Sequence, residues 1–228
     1  MVRNLGRIAY LDALRIQKTL ARHHLDFKKD KSSIRPRNVL FICEHNPVYT
    51  IGIRNKTFGE EEKNKLKKLG AEFYTTDRGG LITFHGPGQL VCYPVLDLGD
   101  FKKSIRWYVR SLEDVLIDTC ARYDVEAGVT DDTGVWVEDR KIAAIGVQAS
   151  RWVTTHGVAL NCNTDLTWFD HIVPCGIVGK GVTSLSFESK SEININDATT
   201  HFLASFSDVF NCQLRHFQEL SNESILVF

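Results

Sequence analysis

The sequence has no excess of either charge and no long apolar run. Its 228 residues carry 28 lysines and arginines against 28 aspartates and glutamates, so the formal net charge is zero. A protein that binds nucleic acid or an anionic membrane through bulk charge needs a clear basic excess. No stretch approaches the roughly 18 apolar residues of a transmembrane helix, and no secretory-type apolar segment follows Met1. The sequence therefore predicts neither a nucleic-acid nor a membrane partner.

The chain also lacks internal repeats, low-complexity tracts and a Pro/Ser-rich linker, and it has only five prolines. The one weak break is the polar stretch at residues 27–38, which precedes an abrupt apolar run. A length of 228 residues suits one ordinary globular unit. We therefore expect a single domain over residues 1–228.

Cysteine occurs six times without the spacing of a disulfide framework or a metal site. There is no Cys-x-x-Cys pair, and the close pairs Cys43 with His45 and His171 with Cys175 do not have the spacing of structural zinc ligands. We therefore predict reduced thiols of an intracellular protein and no metal site.

The hydrophobic pattern predicts helices and short strands in a mixed order. Helices are predicted at residues 10–24, 60–69 and 104–123 and from Asp197 as N-cap, and strands at 39–43, 72–75, 81–84, 90–98, 134–138, 141–148 and 157–163. Pro94 should mark an irregular or edge position in its strand. Because strict β-α-β alternation is absent, the pattern favours an α+β fold in which helices flank a mostly antiparallel or mixed β-sheet.

Four glycines crowd the segment from Arg78 to Gln89, which has the sequence RGGLITFHGPGQ. Such density lets the backbone approach a ligand and present its N–H groups. The segment matches neither the dinucleotide-binding glycine pattern nor the P-loop, so a nucleotide phosphate is not implied. From local chemistry alone it is either a ligand-binding loop or a hairpin whose turns require glycine.

Two further residues are chemically suggestive. Cys175 lies between Pro174 and Gly176, where regular structure is hard to continue, so its thiol should be more accessible than those in apolar elements. Lys141 opens the apolar strand at 141–148 and would either point into a cleft or be an ordinary exposed strand-end lysine. Likewise, Cys175 is either an inert loop cysteine or a nucleophile activated by a nearby cation. The candidate cations are Lys141, Arg140, His171 and Lys180.

Taken together, the motifs resemble the lipoyl(octanoyl) transferase family, the octanoyl-[acyl-carrier-protein]:protein N-octanoyltransferases. RGGLITFHGPGQ at 78–89, RKIAAIG at 140–146, HGVALN at 156–161 and PCG at 174–176 occur in the order of that family. The match spans nearly the whole chain. The segments TGVWVEDRK and DLTWFDHIVPCG are similar to those of the animal mitochondrial branch. The resemblance implies the biotinyl/lipoyl protein ligase fold, and it implies an acyltransferase of lipoate biosynthesis that needs no cofactor.

In the mechanism that this resemblance implies, the Cys175 thiolate takes an octanoyl group from its carrier as a thioester. A lysine of a lipoyl domain then attacks the acyl-enzyme, which makes this the first step of endogenous protein lipoylation. Lys141 matches the catalytic lysine of the family and would stabilise the thiolate and move protons. No ATP is required, since thioester exchange is nearly balanced and aminolysis is favourable.

The resemblance also implies which residues bind the substrate. They are Arg78, Gly79, Gly80, Leu81, Ile82, Thr83, Phe84 and His85 in the first motif, Ala144, Ile145 and Gly146 in the second, and Gly157, Val158 and Ala159 in the third. Their small side chains would leave a slot for an eight-carbon chain, whose buried methylenes contribute about 0.8 kcal/mol each.

The implied donor is octanoyl-acyl carrier protein, and the implied acceptors are lipoyl domains of 2-oxoacid dehydrogenase complexes and the glycine cleavage H protein. Such carriers are usually acidic, so basic residues could dock them, with candidates at Arg35, Arg37, Arg54, Lys56, Lys102 and Lys103. The basic N-terminal helix and the animal-type wording predict a mitochondrial location, with the cytoplasm as the alternative.

Three alternatives remain open at this point. A lipoyl/octanoyl amidotransferase would use the same cysteine with an acylated carrier domain as donor. A lipoate-protein ligase would need ATP and no cysteine nucleophile. A catalytically idle acyl-binding protein has no use for the pair Lys141 and Cys175.

Overall fold

Strands and helices alternate irregularly in the computed structural model, which describes residues 1–31, 34–54, 58–173 and 179–217. The ten strands of this part of the chain are β1 (Val2–Ile8), β2 (Val39–His45), β3 (Val48–Ile51), β4 (Glu72–Thr75), β5 (Thr83–His85), β6 (Gln89–Val95), β7 (Val135–Val137), β8 (Arg140–Ser150), β9 (Val153–Asn161) and β10 (Gly181–Val182). The helices are α1 (Tyr10–Lys29), α2 (Glu60–Lys68), α3 (Ile105–Ala121), α4 (Leu185–Ser189) and α5 (Ile195–Val209).

The main sheet is mixed and has the strand order β1-β2-β6-β9-β8-β10, with β7 paired to β8. Its central pairs are antiparallel, whereas β1 with β2 and β10 with β8 are parallel. A smaller sheet has the order β4-β3-β5. The predicted α+β class with a mixed sheet and flanking helices is therefore confirmed.

Helices cover both faces of the main sheet. On one face, α3 and α5 bury a large apolar cluster that includes Leu112, Leu116 and Phe202. On the other face, α1 packs Ala13 and Leu20 against the strands. A third cluster, around Tyr49 and Phe84, fills the space between the small sheet, α2 and a 3-10 segment at Leu166–His171. Burial on both faces explains why β2 and β6 are apolar without alternation.

Several predicted element boundaries were wrong for local reasons. Helix α1 continues to Lys29, since its last turn carries Lys28 and Lys29, which are favourable at a helix C-terminus. Helix α5 begins with Asn194 as N-cap, whose side chain accepts the Asp197 N–H, so Asp197 lies in the first turn. The strand predicted at 81–84 is Thr83–His85, and β1 was not predicted.

Pro94 lies in a central strand, with β2 on one side and β9 on the other. Its expected edge position is therefore wrong, but the expected irregularity is present. Pairing of β6 with β9 ends at Cys92 opposite Val158, so the missing proline N–H leaves no ladder bond unmade there.

None of the helices in the described ranges is long and apolar enough to cross a membrane.

Candidate active site

A cavity lies between β8, β9, β6, the start of α1 and the loop that carries Arg78. It has about 470 Å³ of space including its open mouth. The lining residues are Tyr10, Arg78, Gly80, Leu81, Thr83, His85, Val91, Tyr93, Ala144, Ile145, Gly146, His156, Gly157, Val158 and Ala159. Its floor is mostly apolar, which suits a hydrocarbon chain.

Two glycines that face each other make room in the sheet. Gly146 on β8 pairs with Gly157 on β9. A Cβ at Gly157 would come within 2.1 Å of the Cys92 carbonyl oxygen, and one at Gly146 within 3.0 Å of Arg78 Cδ. A side chain at Gly157 would therefore clash with β6, whereas one at Gly146 would press on the loop that carries Arg78.

Arg78 fixes the glycine-rich loop over this part of the sheet. Its buried guanidinium donates to the carbonyl oxygens of Thr50 at 2.8 Å and Leu81 at 3.0 Å. The next residue, Gly79, donates its N–H to Val147 on β8 at 3.0 Å. A Cβ at Gly52 would collide with the Gly80 oxygen at 2.4 Å, so the turn after β3 also requires glycine. Here Arg78 acts as a structural clamp as well as a cavity wall.

His85 belongs to a chain of buried hydrogen bonds. Gln89 donates its amide to Asn161 Oδ1 at 2.9 Å, so Gln89 Oε1 must accept from His85 Nδ1 at 2.8 Å. His85 Nε2 then accepts from the Thr50 hydroxyl at 3.3 Å, and Thr50 in turn accepts from Arg78 at 2.9 Å. At the other end, Asn161 donates to the Thr183 carbonyl at 2.9 Å. Burial, with the nearby His45 and Arg78 charges, lowers the pKa of His85 to about 3, so its ring is neutral.

His156 lines the cavity next to the Arg78 loop and has a positive φ of 58°. Its Nε2–H donates to Asp77 at 2.9 Å, while its backbone N–H donates to Gln17 of α1 at 2.8 Å. Burial lowers the pKa of His156, and the hydrogen bond from His156 lowers the pKa of Asp77. A neutral His156 imidazole that donates to an ionised Asp77 carboxylate is consistent with both lowered pKa values.

Lys141 is the second residue of β8, the strand whose later residues line the cavity. It is only 6% exposed, although a lysine at a strand end is usually solvated. Its Nζ donates to the Thr133 carbonyl at 3.1 Å and lies 4.6 Å from the centre of the Trp136 ring. The interpretation of Lys141 as an ordinary exposed lysine is therefore wrong.

The structure brings most of the predicted binding residues together. Eleven line the cavity, and Gly79, Ile82 and Phe84 do not. Gly79 binds the edge of β8 through its backbone, whereas Ile82 and Phe84 are buried in the cluster with Tyr49. Cys175 and its neighbours at 174–178 lie outside the described residues.

Four lining residues were missed by sequence reasoning, namely Tyr10, Val91, Tyr93 and His156. Tyr10 and Tyr93 belong to elements whose sequence pattern indicates only burial in the hydrophobic core. Tertiary packing brings them to the cavity. His156 carried a signal, since it begins the HGVALN motif.

The five described cysteines have little nucleophilic character. Cys43, Cys92, Cys120 and Cys162 are buried, and burial raises the pKa of every one of these thiols, to about 12 for Cys120 and Cys162. Burial also raises the pKa of the half-buried Cys212. Each thiol is therefore protonated at neutral pH. Among the described residues no group of three or more His, Cys, Asp or Glu side chains could hold a metal ion.

A model of the lipoyl protein ligase A/B catalytic domain matches residues 9–207. The chain belongs to this family. The family resemblance drawn from the motifs is confirmed. The extent of one domain over residues 1–228 stays a prediction.

Several curated relatives are named octanoyltransferases. The mitochondrial octanoyl-[acyl-carrier-protein]:protein N-octanoyltransferase of Danio rerio is 54% identical, covering 96% of this chain and 95% of its own. The human protein of the same name is 46% identical, covering 92% and 93%. An octanoyltransferase from Christiangramia forsetii is 42% identical, covering 94% and 97%.

Two solved structures have the same fold at low sequence identity. A bipartite lipoate protein ligase from Thermoplasma acidophilum, described with its E2 lipoyl domain, aligns with a TM-score of 0.68 at 15% identity over 94% of this chain and 85% of that one. A biotin protein ligase from Aquifex aeolicus in complex with biotin and ATP aligns with a TM-score of 0.53 at 10% identity over 92% and 70%. The expected biotinyl/lipoyl ligase-like fold is thereby confirmed.

Proposed function

We propose that this protein transfers an octanoyl group from octanoyl-acyl carrier protein to a lysine of a lipoyl domain, in mitochondria. The proposal depends chiefly on the octanoyltransferase relatives, which match nearly the whole chain at 42% to 54% identity. The mitochondrial location follows the names of the animal relatives.

The proposed reaction has two acyl-transfer steps. The Cys175 thiolate attacks the thioester carbonyl of the donor, a new C–S bond forms, and the carrier thiol leaves with a proton. The amine of the acceptor lysine then attacks the acyl-enzyme, a C–N bond forms, and Cys175 is released as the thiol or thiolate. Neither step involves a redox change or ATP.

The cavity and Lys141 support these roles. The octanoyl chain would lie between the small residues of β8 and β9, where burying several methylenes at about 0.8 kcal/mol each favours binding. Lys141 belongs to the strand whose later residues line the cavity, and in the proposed mechanism its ammonium stabilises the thiolate and exchanges protons with the leaving thiol and the incoming amine. Elimination also favours Cys175, because the other five cysteines have raised pKa values.

A mass measurement tests the proposal. The purified protein is incubated with octanoyl-acyl carrier protein without ATP, and its intact mass is recorded before and after a lipoyl domain is added. We expect one octanoyl adduct that hydroxylamine removes, that maps to Cys175, and that passes to the lipoyl domain. The Cys175→Ser variant should form no such thioester, whereas Cys212→Ser should behave as wild type.

Other outcomes identify the alternatives. An adduct obtained only from an octanoylated carrier domain would indicate an amidotransferase. Transfer that requires free acid and ATP would indicate a ligase, and no adduct under any condition would indicate an idle acyl-binding protein.

A further inference from the structure

Two lysine side chains meet on one indole ring beside the cavity-lining strand. Lys141 Nζ lies 4.6 Å from the centre of the Trp136 ring, and Lys180 Nζ lies 4.8 Å from the same centre. Trp136 is paired with Lys141 in the β7–β8 hairpin and does not line the acyl cavity. Its ring therefore contacts the proposed catalytic machinery without contacting the acyl chain.

We propose that Trp136 is the positioning residue for Lys141, and that Lys180 is a second cation seated on the same ring. This inference rests on the proposed function, in which Lys141 is the catalytic lysine. The negative face of an aromatic ring attracts an ammonium group most strongly when both are shielded from water. Both side chains meet that condition, since Trp136 is 3% exposed and Lys141 is 6% exposed.

The contacts of Lys141 leave the ring as its main orienting partner. Apart from the ring, its Nζ has the Thr133 carbonyl as a hydrogen-bond acceptor. Among the described residues, no carboxylate forms an ion pair with Lys141. The ring and one carbonyl oxygen therefore orient the ammonium group without an ion pair.

The ring itself is held rigidly. Trp136 exchanges two backbone hydrogen bonds with Gly128, both 2.8 Å long, and its Nε1–H donates to the Asp132 carbonyl at 3.1 Å. Gly134 makes room for the lysine, since a Cβ there would come within 3.3 Å of Lys141 Cε and 2.7 Å of the Ala143 oxygen. The φ of Gly134, +127°, also disfavours any side chain.

Lys180 differs from Lys141 in having an acidic partner. Its Nζ lies 3.8 Å from Asp139, and 29% of its side chain is exposed. Lys180 therefore has a carboxylate partner outside the ring contact, whereas Lys141 has none among the described residues. In sequence, Lys180 follows Cys175 by five residues, so the same ring contacts both the β8 lysine and the chain downstream of the proposed nucleophile.

The test compares Trp136→Leu, which keeps bulk without a π face, with Trp136→Phe, which keeps an aromatic face. Single-turnover acylation by octanoyl-acyl carrier protein and steady-state kcat and KM are measured, together with Tm. We expect Trp136→Leu to lower the acylation rate and kcat about tenfold or more, with KM for the donor unchanged. Trp136→Phe should stay within about threefold of wild type.

The matched control is Trp107→Leu. Trp107 packs on Phe101 and Phe210. Its replacement by leucine removes the same aromatic volume as in Trp136→Leu, but it removes no contact to a lysine. We expect this variant to lower Tm and to leave kcat unchanged.

Three results would overturn the inference. One is a wild-type acylation rate in Trp136→Leu. Another is an equal loss in the Leu and Phe variants, because the π face would then not matter. The third is a loss in Lys180→Met as large as that in Lys141→Met, which is measurable even if the Trp136 variants fold poorly. Absence of acylation in the wild-type protein would instead refute the proposed function itself.

Discussion

Two parts of strand β8, one around Gly146 and one around Lys141, are built in opposite ways. Towards Gly146 the site is made by the absence of side chains and is closed by a neutral histidine and hydrogen-bonded polar groups. Towards Lys141 it is made by side chains, with two ammonium groups gathered on a tryptophan ring. Under the proposed function, acyl binding would therefore depend on close backbone approach and catalysis on side-chain chemistry. Substitutions around Gly146 and Gly157 should therefore act mainly on packing, and substitutions around Lys141 mainly on catalysis.

The largest effect is expected at Gly157, where backbone approach is closest. Gly157→Ala would place a Cβ 2.1 Å from the Cys92 oxygen and 2.6 Å from Pro94 Cδ, and neither group can easily move in the middle of the sheet. We expect the free energy of unfolding to fall by about 3 kcal/mol or more, as measured by urea unfolding.

Gly128→Ala is the matched control, because nothing lies within 4 Å of a Cβ at that position. It should change the free energy of unfolding by no more than about 0.5 kcal/mol. Equal losses in the two variants would show that the sheet does not depend on close approach at Gly157.

The next effect concerns the part of the site around Gly146, where His85 should make the free energy of unfolding depend on pH. Because the folded pKa of His85 is about 3, the unfolded chain binds a proton there between about pH 6.5 and 3 that the folded protein does not bind. This histidine therefore contributes stability above about pH 6.5, and that stability is lost as pH falls, at about 1.4 kcal/mol per pH unit. Burial lowers the pKa of His24, His45 and His156 as well, so these residues act in the same direction.

Urea unfolding at pH 7.5, 6.0 and 5.0 measures this loss. The His85→Gln variant should be less stable at pH 7.5 but should lose less stability on acidification, by about 2 kcal/mol at pH 5. His23→Gln, at an exposed position of α1, is the control and should keep the wild-type slope. An unchanged slope in His85→Gln would mean that His85 is not buried in its neutral form.

The smallest effect on stability is expected at Gly146, which should instead alter selectivity. Its Cβ would lie 3.0 Å from the flexible side chain of Arg78 and 3.1 Å from the Gly79 oxygen, so a shift of a few tenths of an ångström accommodates it. We expect Gly146→Ala to cost about 1 kcal/mol of stability or less. A narrower cavity should lower kcat/KM for octanoyl more than for hexanoyl thioesters, by about tenfold in their ratio. The same ratio as wild type would place the acyl chain elsewhere.

Much of the fold was predictable because its strongest signals are local. The stripe of helix α3, the β7–β8 hairpin and the apolar run of β2 were all recognisable from spacing. Strand β1 was not, since its seven residues include polar Arg3, Asn4 and Arg7, and it is a strand because β2 offers it a parallel edge. That edge is a tertiary property.

The site was predictable where a motif carries it and not where packing alone does. The glycines and Lys141 were predicted from family motifs, and the structure shows which groups surround each of them. Tyr10 and Trp136 had no sequence signal of their own, because their roles depend on which rings and cations the fold brings within 6 Å. The role of Cys175 stays a prediction.

The direction of the hydrogen bonds in the chain through His85 determines whether that chain can transfer a proton. Every donor along it points from Arg78 towards Thr183. The first member is a guanidinium that stays protonated, and the last acceptor is a backbone carbonyl that takes up no proton. A line with such ends cannot conduct a proton in either direction. The histidine at its centre is therefore a neutral structural link between the Arg78 loop and the sheet, and it cannot relay a proton along this chain.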